Sequence, residues 1–205
     1  MILDNITIPQ IIILFAAYSF MGWIIEVVYR SFTQRQLINA GFLYGPFIPI
    51  YGFGAAFIIL LDFIIHNWPL PVKLVVYGII LTTIEYGTGF LFDKIFKLKL
   101  WDYSSNKFNL HGRVCLLFSV LWTIMATAFV TFIHPLVLRY AQLPDKSSAN
   151  IISAILVIYG LTDFIFSVIS ITAFRKKIAY LYAEYFNLSN AEIEKIFNSL
   201  RRLRT

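Results

Sequence analysis

The chain of 205 residues contains one cysteine, Cys115, and charged residues make up only 14% of it. A lone thiol excludes an internal disulfide and leaves too few thiolates for a zinc or iron–sulfur centre. There are three histidines, and His111 has no second imidazole nearby in sequence to complete a metal set. The sequence has no G-x-x-x-x-G-K-[ST], no H-E-x-x-H and no G-x-S-x-G. Those absences exclude a P-loop nucleotidase, a zincin and a nucleophile-elbow hydrolase. No cofactor is implied. Internal repeats and low-complexity segments are missing too. The opening MILDNITIPQ carries Asp4 where a secretory signal has Lys or Arg, and no small-residue cleavage site follows. The first apolar run therefore reads as a retained helix.

What is present is apolar. Hydrophobic residues make up 59% of the chain and the mean hydropathy is +0.75, whereas a soluble domain is about one quarter charged. This composition predicts an all-α polytopic membrane bundle. A span needs roughly 20 helical residues to cross about 30 Å of hydrocarbon. Five segments qualify, approximately 9–29, 46–66, 71–93, 114–138 and 150–174. Pro9, Pro46 and Pro71 fall near helix starts, where a missing N–H has no partner to lose. Pro49 and Pro135 lie further in and predict kinks.

Lys and Arg are unevenly shared. The connections 30–45 and 94–113 and the segment after 174 hold fourteen of them, against Lys73, Arg139 and Lys146 on the other side. The positive-inside bias predicts the N-terminus out and the C-terminus in. The formal net charge of +6 then reflects topology and attraction to anionic lipid headgroups, and nucleic acid is a poor partner. Residues 1–174 read as the transmembrane bundle and 175–205 as a basic cytoplasmic tail. In that tail Ser189-Asn190-Ala191-Glu192 fits a capping box, with Ile193, Ile196, Phe197, Leu200 and Leu203 on one face. The pattern predicts an amphipathic helix at the interface, or one packed on the loops or on a partner.

Ionisable residues inside spans cost roughly 2.5–3.5 kcal/mol each at mid-helix, so each calls for a reason. Glu26 lies late in the first span. Glu85, Gly89 and Asp93 form an i, i+4, i+8 stripe in the third, and Gly160, Asp163 and Ser167 a similar one in the fifth. Arg113 enters the fourth span from the side of Glu26 and Glu85, and a guanidinium matches a carboxylate in two-pronged fashion. One reading is a structural ion pair that sets helix register. The other is a site for an anionic or zwitterionic ligand with Arg113 as the anion contact. Asp163, nearest the bilayer centre, reads as a register-setting hydrogen bond or a proton-coupling group.

Two connections are unusual. AGFLYGPFIPIYGFG, residues 40–54, holds four glycines, two prolines, Tyr44 and Tyr51, and cannot form a plain helix. It is either a tight turn or a re-entrant loop covered by protein or water. The connection 94–113 carries Trp101, Asp102 and Asn109 ahead of Arg113. Trp101 suits the headgroup region, and Asp102 and Asn109 suit turns and caps. Asn109 with Arg113 is alternatively a donor pair for a phosphate or carboxylate, with Trp101 over an apolar moiety.

The strings GFLYGPFIPIYGFGA, IEYGTGFLFDKIF, LWDYS and NLHGRVCLLFSVLW, together with GWIIEVVYR, resemble a bacterial membrane family of ABC-transporter type IV permeases. The resemblance spans about residues 15–125. His111 departs from it, since a neutral polar residue is expected there. The motif positions Glu26, Glu85, Trp101, Asp102, Asn109 and Arg113 are carried over without assigned roles. The resemblance implies a small multi-pass cell-membrane protein of transporter or permease type. It implies self-association or another membrane subunit, with a separate ATPase as the energy source. Two other classes stay open: a membrane-embedded enzyme acting on a lipid or isoprenoid headgroup, and a non-catalytic assembly or lipid-binding factor. The expected ligand set is Glu26, Tyr44, Glu85, Trp101, Asp102, Asn109 and Arg113.

The charge asymmetry has a direct test. Reporter fusions after residues 40 and 105 should report cytoplasm, and one near residue 146 the opposite side. A cytoplasmic signal at 146 would overturn the orientation.

Overall fold

The computed structural model describes residues 6–186, which excludes the amphipathic segment expected from Ser189 onward. Six helices carry the fold. They are α1 Ile8–Gln34, α2 Pro49–Ile64, α3 Leu70–Phe96, α4 Leu116–Ala128, α5 His134–Ala141 and α6 Lys146–Phe186. A π-helical turn, Phe129–Ile133, joins α4 to α5 without a break in the rod. Four rods are thus long and apolar enough to cross a bilayer: α1, α3, Leu116–Ala141 and Lys146–Ala173. Among the described residues the only strands are β1 Asn109–Leu110 and β2 Val114–Cys115, an antiparallel pair with Asn109 opposite Cys115. The chain divides after Asp163, inside α6: one compact unit runs to Asp163 and a second starts at Phe164.

Local rules account for the helix ends. The Thr7 N–H donates to Gln10 Oε1 at 2.9 Å, which caps α1 ahead of Pro9. Arg35 and Lys97 close α1 and α3 in the left-handed region, at φ 53° and 50°. In the third rod Pro135 has no N–H to donate, and the ladder widens instead: the His134 N–H bonds the Phe129 carbonyl five residues back. The kink expected at Pro135 takes this π form.

The second segment departs from expectation. α2 has 16 residues, about 24 Å at 1.5 Å per residue, and is shorter than a full span. Pro49 is at its first turn and does not kink it, while Pro46 stays outside the helix. The chain between α1 and α2 folds back along α1 from Arg35. The Ile38 N–H bonds Ser31 Oγ, the Trp23 indole bonds Asn39 Oδ1, and the Ile48 N–H bonds the Ser19 carbonyl at 3.0 Å. Each successive contact lies deeper along α1, so α2 starts level with the middle of that helix. Gly22 permits this, because a Cβ there would sit 2.1 Å from the Tyr51 ring.

The strap, residues 37–48, is held from two other sides. Phe42 packs edge-on against Phe92 of α3, with ring centroids 5.0 Å apart. Asp163 of α6, only 8% exposed, accepts the Tyr44 and Gly45 N–H groups at 2.9 and 2.8 Å, one on each carboxylate oxygen. Gly160, expected to share its stripe, faces open space.

Apolar packing is confined to small cores. One comprises Leu14, Tyr18, Ala55, Leu138 and Ala141; the other comprises Ile58, Ile65, Tyr77 and Ala126. Most large apolar side chains point outward on every rod, as they do when lipid is the solvent and helices hold together through small residues and hydrogen bonds.

The strap's approach to α6 yields a prediction. A Cβ on Gly45 would lie 2.1 Å from Tyr159 Oη and 2.7 Å from Asp163 Oδ2. Gly45→Ala should lower stability in detergent by about 1–3 kcal/mol, the usual effect of overpacking. Adding Tyr159→Phe should recover part of that loss. Thermal melts of both variants check it, and an unchanged single variant would contradict the close approach.

Candidate functional site

Two carboxylates, the buried Glu85 and the partly buried Glu26, converge where α1, α2, α3 and α4 meet the 97–115 connection. Glu26, late in α1, accepts from Arg30 Nε at 3.1 Å one turn along and from the Tyr51 hydroxyl at 3.1 Å. Arg30 also reaches the Leu100 carbonyl at 3.2 Å, tying α1 to the connection. Glu85 of α3 is 6% exposed. Its Oε1 accepts from the Tyr103 hydroxyl at 3.0 Å, and its Oε2 has no hydrogen-bond partner. The Trp122 indole N–H of α4 faces the same carboxyl yet also makes no hydrogen bond. Glu26 acts electrostatically on Glu85 from across the cluster. Aromatic rings pack around the two carboxylates: Tyr51 meets Trp122 edge-on at 5.8 Å, and Tyr103 stacks on Phe118 at 4.6 Å.

Arg113 is not part of this cluster. It pairs with Asp93 at 2.8 Å and lies over the Tyr86 and Phe90 rings, each 5.6 Å away. The expected contact with Glu85 or Glu26 does not form. The reason is the turn. The hairpin sets the Arg113 stem against Gly89, midway along the Glu85–Gly89–Asp93 stripe. From there the guanidinium reaches outward to the half-exposed Asp93, where it keeps contact with water.

The other expected ligands in the connection hold the hairpin together. The Trp101 indole donates to the Arg113 carbonyl at 2.7 Å. The Asn109 amide donates to the Asn106 carbonyl at 2.8 Å, and its oxygen accepts the Gly112 N–H at 3.0 Å. Asp102 accepts the Ser104 N–H at 2.9 Å and pairs with Lys99 at 2.6 Å. Lys99 and Ser104 hold its carboxyl down at about 2, against an ordinary 3.8. His111 and Gly112 occupy the turn at φ 54° and 66°, and the Arg113 N–H closes it on the Leu110 carbonyl. Two positive φ values define the tight hairpin turn in which asparagine and glycine are at ease. That explains why a neutral polar residue is expected at His111. The His111 ring meets Tyr86 Oη at 3.0 Å.

Tyr44 sits in the strap, its backbone on Asp163 and its side chain exposed. With Trp23, Leu37, Asn39 and Pro46 it lines an open groove of about 290 Å³. The structure therefore sorts the expected residues into three places: Glu26 and Glu85 in the aromatic cluster, Trp101, Asp102, Asn109 and Arg113 in the hairpin, and Tyr44 with Asp163 at the strap.

A model of the family described as "Putative ABC-transporter type IV" matches residues 13–168. The chain belongs to that family. No curated protein and no solved structure matches it. The matched segment of this ABC-transporter type IV protein contains all three groupings, from Glu26 through Asp163. With four rods of spanning length, the chain is a multi-pass membrane protein of ABC-transporter type.

Sequence reasoning missed several partners. Glu26 and Arg30 stand at i, i+4, a legible signal. Tyr51, Tyr103 and Trp122 carry none, since nothing local separates them from aromatic anchors at the interface. A second polar group, toward the end where α2 finishes, was also missed. Lys73 pairs with Asp62 at 2.8 Å, Tyr77 donates to the same carboxylate, and Tyr18 meets His134 Nδ1 at 2.6 Å.

Burial and the Glu85 carboxylate both raise the Tyr103 phenol above its usual range, so Tyr103 stays a donor at all ordinary pH. Tyr103→Phe removes the hydroxyl that donates to Glu85 and should destabilise the bundle by about 1–3 kcal/mol. Thermal melts in detergent measure this, and a neutral effect would mean that Glu85 finds another donor.

Proposed function

We propose that this protein is the membrane subunit of a transporter, binding a small ligand midway through the bundle and receiving its energy from a separate ATPase chain. The observation that carries this reading is the discontinuous second segment. An irregular strap enters the bundle, and α2 starts beside Ser19 and Gly22 of α1 instead of at the surface. Non-helical backbone at membrane depth is tolerated only where protein or water covers it. In transporters such broken helices mark the binding site, because they bring free backbone groups and a helix N-terminus to the midplane. Here that N-terminus carries Tyr51, hydrogen-bonded to Glu26, next to the uncompensated Glu85.

The ligand set follows from the geometry. Arg113 is already neutralised by Asp93, which removes the anion contact that an acidic ligand would need in the cluster. A zwitterionic ligand fits better, its cationic end toward the glutamates. Lys99, Arg30 and Arg113 all lie at the hairpin end. By the positive-inside rule that end faces the cytoplasm, and the ligand is handled from there.

Aqueous access to the strap is the test. In a background with Cys115→Ala, Tyr44→Cys should react with a membrane-impermeant thiol reagent supplied from the hairpin side. Phe166→Cys, on the apolar face of α6, should stay unreactive. If Tyr44→Cys is as inert as the lipid-facing control, the strap lines no aqueous route and the transport reading fails.

A further inference from the structure

The cluster at Glu85 also carries a statement about its ligand. The positive charges near it are committed elsewhere: Arg30 to Glu26, Arg113 to Asp93 and Lys99 to Asp102. Glu85 is 94% buried by the same measure that leaves it 6% exposed. It has one hydrogen-bond donor, the neutral Tyr103, and a second oxygen that the Trp122 N–H faces without a hydrogen bond. The two glutamates and Arg30 sum to one net negative charge. A buried carboxylate without a counter-charge is costly, by several kcal/mol in general. A water between Oε2 and the Trp122 N–H would satisfy both hydrogen bonds and still leave the charge unmatched.

We infer that Glu85 Oε2 is the counter-ion for the ammonium group of an organic ligand, seated against the rings of Tyr51, Tyr103, Phe118 and Trp122. The lining decides the kind of cation. A bare metal ion wants several hard oxygens or imidazoles, and the described residues hold no group of three His, Cys, Asp or Glu able to bind one. Aromatic faces with a single carboxylate are the recognised surroundings of alkylated ammonium groups, because ring quadrupoles attract a diffuse positive charge without demanding hydrogen bonds. The rings here run continuously, from Tyr51 on Trp122, through Phe118 at 6.5 Å from Trp122, to Tyr103. The two tyrosines are fixed by neighbours: Tyr51 by Glu26, and Tyr103 by Glu85 itself. The inference rests on the transport reading only for the route by which the ligand arrives.

The test is equilibrium binding of radiolabelled tetramethylammonium to the purified full-length protein in neutral-lipid nanodiscs at constant ionic strength. Saturable binding is expected, competed by unlabelled tetramethylammonium and not by tert-butanol, its neutral counterpart in size. Glu85→Gln should weaken binding about tenfold or more, the effect of losing roughly 1.4 kcal/mol. Trp122→Phe should weaken it less, and Asp93→Asn should leave it unchanged. Melting curves show which variants are folded. Should Glu85→Gln not fold, Trp122→Phe against Asp93→Asn still decides. Absence of saturable binding in the wild type overturns the inference, as does equal binding by wild type and both cluster variants. If tetramethylammonium does not bind while an infrared carboxyl band assigned through Glu85→Gln titrates with pH, the occupant is a proton and the ammonium site is rejected. Binding with an unreactive Tyr44→Cys would retain the site and reject the transport route. A reactive Tyr44→Cys without binding would do the reverse.

Discussion

Two backbone N–H groups and one carboxylate hold the key position in this molecule. In a bundle whose solvent is lipid, a non-helical segment cannot leave its amides to water, and each unsatisfied group would cost several kcal/mol. Asp163 answers that for Tyr44 and Gly45, one oxygen to each. The strap can therefore descend along α1. α2 then starts at mid-depth, and Tyr51 arrives beside Glu26 on the first turn of a helix instead of in a surface loop. Without that carboxylate the expected full-length second span would be the cheaper arrangement, and the aromatic cluster would lose one wall.

The same economy of polar groups shapes the two ends differently. At the hairpin end the charges are sorted by their access to water. Arg113, Asp93, Lys99 and Asp102 pair where solvent reaches them, while Glu26 and Glu85 remain inside with tyrosine donors. At the other end Asp62 is paired with Lys73 and capped by Tyr77, and His134 with Tyr18, next to the π turn that Pro135 forces. That network is neutral in sum and its partners are all supplied. The Glu85 cluster is not, and this difference is why the proposed ligand is assigned to it.

Much of the site's misplacement in a sequence reading traces to Arg113. A helical stripe of Glu85, Gly89 and Asp93 offers an incoming arginine two carboxylates, one inward and one outward. Spacing cannot choose between them. The choice is made by the Leu110–Arg113 turn, whose two left-handed residues aim the side chain across Gly89, and by the lower desolvation of a guanidinium kept near the surface. Similarly, Trp101, Asp102 and Asn109 have the chemistry of ligand contacts and the geometry of turn builders.

From the sequence alone came the membrane class, the apolar rods, the irregular character of residues 40–54, the proline starts of α1 and α3 and the resemblance to the ABC-transporter type IV family. These depend on composition, periodicity and local backbone preference, all of which are written along the chain. The tertiary structure alone decided the depth at which α2 starts, the pairing of Asp163 with the strap, the diversion of Arg113 to Asp93 and the isolation of Glu85 among rings. Each of those joins residues far apart in sequence, over 118 positions for Gly45 and Asp163. Their partners are set by where buried polar groups can be satisfied in the folded bundle, and no local pattern encodes that.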